Sequence, residues 1–164
     1  MDAPIDNLKK LKTKYLLEKF KARKINSDPY IVKINHIISD EEIQELLHLA
    51  KNKFEKSNIM INGELIYSKT RTSSTAYLFE DGMPDKYSDK IEELIKRICY
   101  LMNCSRNQLE IMCVRYKKGE KFDKHVDYFN ENEVGVIDKA GNRIATILIY
   151  LRSEERRVGK ECRL

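Results

Sequence analysis

The chain has 164 residues, 41% hydrophobic and 35% charged, with a formal net charge of +5. That balance fits one soluble globular domain large enough to bury its own core. No apolar run approaches the ~20 residues of a membrane span, and Met1 to Lys14 lacks the apolar centre of a secretory signal. A cytoplasmic default and no membrane partner follow. Cys99, Cys104, Cys113 and Cys162 form no Cys-x-x-C pair, so they read as free thiols rather than a zinc or redox motif.

Leu8, Leu11, Tyr15 and Ala22 recur at helical spacing among lysines, which predicts an amphipathic helix over 6–22. The run from Lys9 to Lys24 holds much of the positive charge; it reads as a solvated helix face, and no nucleic-acid partner is expected. Asp28-Pro29 breaks the helix, and Tyr30 to Ile34 reads as a strand. Ser39 with Glu42 makes a capping box, followed by Ile43, Leu46, Leu47, Ala50 and Phe54 on one face. The spacing predicts a helix from 40 to about 54. His36 and His48 have no acid at metal-binding spacing and read as surface or packing residues.

Asn62-Gly63 between Ile59–Ile61 and Leu65–Tyr67 is a hairpin signal, because both turn positions need positive φ. Arg71 to Ser74 reads as a polar loop before a strand from Thr75 to Phe79. After the turn at Asp81 to Pro84, Ile91, Leu94, Ile95, Ile98, Leu101 and Met102 predict a helix over 86–102. Leu109 to Tyr116 then reads as a strand buried on both faces, Asn130 to Asn142 as a polar loop, and Ile144 to Leu151 as a last strand. The order predicts an α+β fold with helices buttressing a sheet on one side.

Between these last two strands lies Arg115 to Phe129, RYKKGEKFDKHVDYF. Alternation along a strand would send His125 and Asp127 to the same side, offering an imidazole and a carboxylate to a divalent metal. This R-Y-x-x-G-x-x-F-x-x-H-x-D-Y-F stretch, the upstream Arg71-Thr72-Ser73-Ser74 and the segment after Arg143 resemble the prolyl 4-hydroxylase family of iron(II)- and 2-oxoglutarate-dependent dioxygenases. The resemblance covers roughly residues 29–151. It implies a double-stranded β-helix, or jelly roll, with supporting helices, incomplete at the C-terminus.

Carried over by position, the resemblance makes His125 and Asp127 the first two iron ligands. Tyr116 falls where a family hydroxyl reaches 2-oxoglutarate. Arg143 falls where an arginine contacts the peptide substrate, and Arg71 where an arginine shapes the mouth of the site. Phe122 stands where many relatives have a tyrosine that touches the peptide. The implied cofactors are Fe(II), 2-oxoglutarate as co-substrate, O₂ and ascorbate. The implied partner is a proline-containing peptide or protein, with another peptidyl hydroxylation such as that of lysine as runner-up. Oligomeric state is left open.

After Leu151 the texture changes. Arg152 to Leu164 reads RSEERRVGKECRL, with Val158 its sole aliphatic residue before the terminal leucine. The stretch is similar to the in-frame translation of a common sequencing adapter, so a non-native tail is expected over 152–164. The expected division is an extension over 1–28, the N-terminal part of a dioxygenase domain over 29–151, and that tail. Leaving the tail out lowers the net charge from +5 to +3. The family's second iron-binding histidine and its basic residue for 2-oxoglutarate have no match, so the chain as written is expected to be inactive and poorly soluble. Two other readings compete: a catalytically dead jelly-roll module that binds peptides, and a nucleic-acid binder resting only on the lysine-rich start.

Overall fold

The computed structural model describes residues 20–78, 87–130 and 141–151. Strand β1 (Arg23–Ser27) pairs antiparallel with β2 (Tyr30–Lys33) across a cis Asp28-Pro29 peptide. This hairpin revises the N-terminal expectation. Residues 6–19 of the predicted helix lie outside the described residues, but Phe20 to Ala22 are not helical and Lys21 has φ 46°. Ala22 is buried with Leu101, and Phe20, Val32, Ile34 and Ile37 pack around them. The breaker residues serve as the turn of a hairpin rather than as the end of a helix.

Helix α1 (Asp40–Ala50) starts where the capping box places it. Ser39 Oγ accepts from the Glu42 amide at 3.2 Å, and the Ser39 amide donates to Glu42 Oε2 at 2.8 Å. Ser39→Ala is expected to cost about 1 kcal/mol in a urea unfolding titration, with the slope unchanged. The helix ends before Phe54 because Lys51 to Lys53 turn, the Lys53 amide donating to the Ala50 carbonyl at 3.0 Å. Helix α2 (Asp89–Met102) is capped by Ser88 and ended by Asn103 in the left-handed region. It buries the stripe Ile91, Leu94, Ile95, Ile98 and Leu101.

The helices cover one face of a three-stranded antiparallel sheet ordered β3 (Glu55–Lys56), β6 (Ser74–Tyr77), β7 (Met112–Arg115). Leu46, Ala50, Ala76, Leu78, Cys113 and the upper α2 stripe form the core. Burial pushes the Cys113 thiol pKa up, so the group packs as a neutral thiol. Tyr87 locks the end of β6 by donating its hydroxyl to the Leu78 carbonyl. A separate hairpin joins β4 (Asn58–Ile61) to β5 (Glu64–Tyr67) through Asn62 (φ 52°) and Gly63 (φ 80°), as the Asn-Gly pair requires.

The α+β expectation is met by this mixture of helices and antiparallel strands. Two strand expectations are corrected. Leu109 to Tyr116 is not buried on both faces. Only Met112–Arg115 pairs, Cys113 is its buried residue, and Val114 and Tyr116 are exposed. The reason is position: β7 lies at the edge of its sheet, with helices on one side only. Ile144 to Leu151 forms no strand and pairs with none among the described residues. Ile149 and Leu151 pack on the core, whereas Leu148 is 76% exposed. An apolar run becomes a strand only against a neighbour that takes its backbone hydrogen bonds. The predicted turn at 81–84 and the tail at 152–164 lie outside the described residues.

Candidate metal centre

The site is assembled where the polar loop before β6 meets the stretch after β7. The Thr72 amide donates to the Lys121 carbonyl, the Asp123 amide to the Thr70 carbonyl, and Arg71 and Phe122 form a single bridge. Lys121 returns a bond from its amide to Thr72 Oγ1 at 2.8 Å. Beneath this seam lies a buried hydroxyl cluster. Ser57 Oγ is 2.8 Å from Ser73 Oγ and 2.7 Å from Thr75 Oγ1. Arg71 reaches into it, donating to the Asn58 carbonyl at 2.9 Å and to Thr75 Oγ1 at 3.2 Å.

The last strand ends at Arg115 and Phe122 makes only an isolated bridge, so His125 and Asp127 do not share a regular strand as alternation predicted. Their side chains meet nonetheless: His125 Nε2 lies 3.2 Å from Asp127 Oδ1. His125 Nδ1 lies 2.8 Å from the Asp123 carbonyl oxygen. A carbonyl only accepts, so the contact calls for Nδ1–H and leaves Nε2 as the ring nitrogen that faces Asp127 Oδ1. Thr146 Oγ1 donates to Asp127 Oδ2 at 2.6 Å, which leaves Oδ1 as the oxygen facing the imidazole. With bonds of ~2.1 Å, two donors at adjacent corners of an octahedron stand ~3.0 Å apart. The observed 3.2 Å fits that spacing. The donors are partly exposed, with 40% and 45% of the two side chains accessible. No third His, Cys, Asp or Glu joins them among the described residues.

The other expected site residues are distributed around this pair. Phe122 stacks on His125 with ring centroids 3.5 Å apart, and the Arg71 guanidinium lies 4.7 Å from the Phe122 centroid. Arg143 is held by Glu110 in a forked pair at 2.7 and 3.0 Å, lies over the Phe129 ring, and donates to the Asp127 carbonyl at 3.3 Å. Tyr116 follows β7 and is 42% exposed. Four contributors went unread in the sequence: Asp123 through its carbonyl, Glu110, Thr146, and Asn142. Asn142 bonds both the amide and carbonyl of Phe129 at 2.8 and 2.9 Å. Only the position of Asp123 inside the motif could have flagged any of them; the others act across long sequence gaps.

No protein-family model matches the chain. Several curated proteins do. Probable prolyl 4-hydroxylase 6 of Arabidopsis thaliana is 35% identical over 117 residues, which is 70% of this chain and 38% of that protein. Prolyl 4-hydroxylase 2 of the same plant is 31% identical over 133 residues, 80% of this chain and 42% of the relative. Prolyl 4-hydroxylase subunit alpha-2 of Caenorhabditis elegans is 29% identical over 153 residues, 91% of this chain and 28% of the relative. The chain therefore spans less than half the length of each of these relatives. This set supports the prolyl 4-hydroxylase-like resemblance read from the motif. In the described residues no helix is long and apolar enough to cross a membrane.

Proposed function

We propose that this chain carries two of the three iron ligands, His125 and Asp127, of an Fe(II)- and 2-oxoglutarate-dependent dioxygenase that hydroxylates peptidyl proline, within a jelly-roll domain. The observation that supports this most directly is the convergence of His125 Nε2 and Asp127 Oδ1 at 3.2 Å, each oriented by a hydrogen bond on its far side. The names of the relatives favour proline over lysine. When bound, iron with 2-oxoglutarate and O₂, and ascorbate as reductant, supplies the oxidation that puts a hydroxyl on an unactivated C–H bond.

The chain's own residues bind and orient. His125 would offer Nε2, because its other ring nitrogen is taken up by the Asp123 carbonyl. Asp127 offers one oxygen because Thr146 occupies the other. Tyr116, exposed at the end of β7, is assigned the distal carboxylate of 2-oxoglutarate. Arg143, assigned to the peptide, would share its guanidinium with Glu110. Arg71 and Phe122 were assigned to the substrate mouth.

The remaining histidines do not complete the centre. His36 precedes α1 and His48 lies within it, and neither groups with the pair. The second reading is a module that keeps the fold and binds peptide without turnover. The test is to incubate the 164-residue chain with Fe(II), 2-oxoglutarate, ascorbate and a proline-rich peptide, with and without free imidazole as a stand-in third ligand. Succinate release and a one-oxygen gain in peptide mass are followed. No turnover is expected without imidazole, and measurable succinate is expected with it once 2-oxoglutarate is raised far enough to offset the missing basic residue. Succinate release in the absence of imidazole overturns the two-ligand assignment. Silence under both conditions, with peptide still retained, favours the binding module.

A further inference from the structure

Phe122 has both of its faces occupied. The imidazole of His125 lies almost parallel to the ring, 15° between planes with centroids 3.5 Å apart. The guanidinium of Arg71 lies over the ring at 4.7 Å. Two planar groups at those distances cannot share one face, so the phenyl ring is sandwiched between them. A ring sandwiched in this way has no face left for a peptide proline. Arg71 is itself anchored from below, by the Asn58 carbonyl and Thr75 Oγ1. It also holds two groups in register, because its backbone bridges Phe122.

We propose that Arg71 and Phe122 are positioning residues for His125, rather than substrate contacts. Rigid support runs from the hydroxyl cluster under β6 to the Arg71 guanidinium, then to the Phe122 ring, then to the imidazole plane. The Asp123 carbonyl holds Nδ1 and the stack fixes the ring's rotation, so Nε2 is aimed at Asp127 Oδ1. An exposed histidine otherwise loses side-chain freedom when it binds a metal, and the stack removes that freedom beforehand. Lysine could not replace Arg71, since a point charge lacks the planar fork that stacks and donates twice. This inference rests on the metal reading of His125 and Asp127.

The test uses the 164-residue chain, Co(II) as probe and two readouts. Cobalt binding is titrated through its visible absorption, and the His125 ring-proton resonances are followed by NMR without metal. Phe122→Leu is expected to weaken cobalt binding about tenfold, as loss of an orienting partner does. It should also move the His125 ring protons downfield as the ring current of Phe122 is lost. Phe122→Tyr keeps the ring and should restore both readouts. Arg71→Lys should weaken cobalt binding less than Phe122→Leu, with a thermal melt confirming that each variant folds. Unchanged cobalt affinity and unmoved resonances in folded Phe122→Leu overturn the proposal. If the parent chain binds cobalt no better than His125→Ala, the metal reading falls by itself. The metal-free resonances then decide the stack: a downfield move in the leucine variant upholds it, and no move rejects it.

Discussion

His125→Ala is expected to weaken divalent-metal binding by on the order of 100-fold. The magnitude comes from the ~10–16 kcal/mol of a four-ligand structural zinc site, about 2.5–4 kcal/mol for each ligand, against 1.4 kcal/mol per tenfold. The centre proposed here has two protein ligands, so losing the imidazole leaves one carboxylate and water. Asp127→Asn should cost less than His125→Ala. It removes the charge, but the amide oxygen can still accept from Thr146 or face the metal. The control is His48→Ala on α1, which removes a histidine of the same intrinsic affinity outside the site. Isothermal calorimetry with Co(II) or Mn(II) reads all three. A His125→Ala affinity within about twofold of the parent chain would sink the metal assignment, since distant or absent interactions produce differences of that size.

The parts of this site that could be read from the sequence are those fixed by local rules. Ser39 and Glu42 placed the start of α1, and Asn62-Gly63 placed a hairpin, because a cap and a two-residue turn depend on few neighbours. His125 and Asp127 were legible as a pair, although the reason given was wrong in detail. They meet without a regular strand, because the seam between Thr70–Thr72 and Lys121–Asp123 sets the chain's path just upstream. The hairpin of β1 was illegible: Arg-Lys-Ile-Asn-Ser has no apolar alternation, and its pairing is set by β2 and by Ala22 packing near α2. Ile144 to Leu151 erred the other way. Its apolar residues were plain, but hydrogen-bond partners are supplied by the fold and not by the run itself. Glu110 gripping Arg143 across 33 residues, and Arg71 behind Phe122, likewise leave no periodic trace.

Arg97→Met should destabilise the fold by about 3 kcal/mol, the lower end of what breaking a buried pair costs. Glu42 is 5% exposed although it is a carboxylate on the first turn of α1. Arg97 of α2 makes that burial tolerable. Its two terminal nitrogens donate to the two carboxylate oxygens at 3.1 Å each, and one of them also donates to the Ile37 carbonyl at 2.8 Å. Methionine fills much of the volume but leaves a buried charge and a carbonyl unmatched. The lower end applies because the Arg97 side chain is 30% exposed, so water can partly replace it. Arg97→Lys should recover only part of the loss, since one ammonium cannot reproduce the fork. Glu42→Met with Arg97→Met should be less destabilised than Arg97→Met alone, because the stranded charge is gone, although the capping bonds of Glu42 go with it. Urea unfolding of the parent, Arg97→Met, Glu42→Met and the double variant measures the coupling as a double-mutant cycle. Equal losses in Arg97→Met and the double variant would show that the charge is not what costs. Because Arg97 joins α1 to α2 while His125 hangs from the Arg71 seam, the folded fraction of Arg97→Met should keep its cobalt affinity within about twofold. A metal affinity that fell together with stability would mean that the helix pair and the metal centre form one cooperative unit rather than a scaffold and a site resting on it.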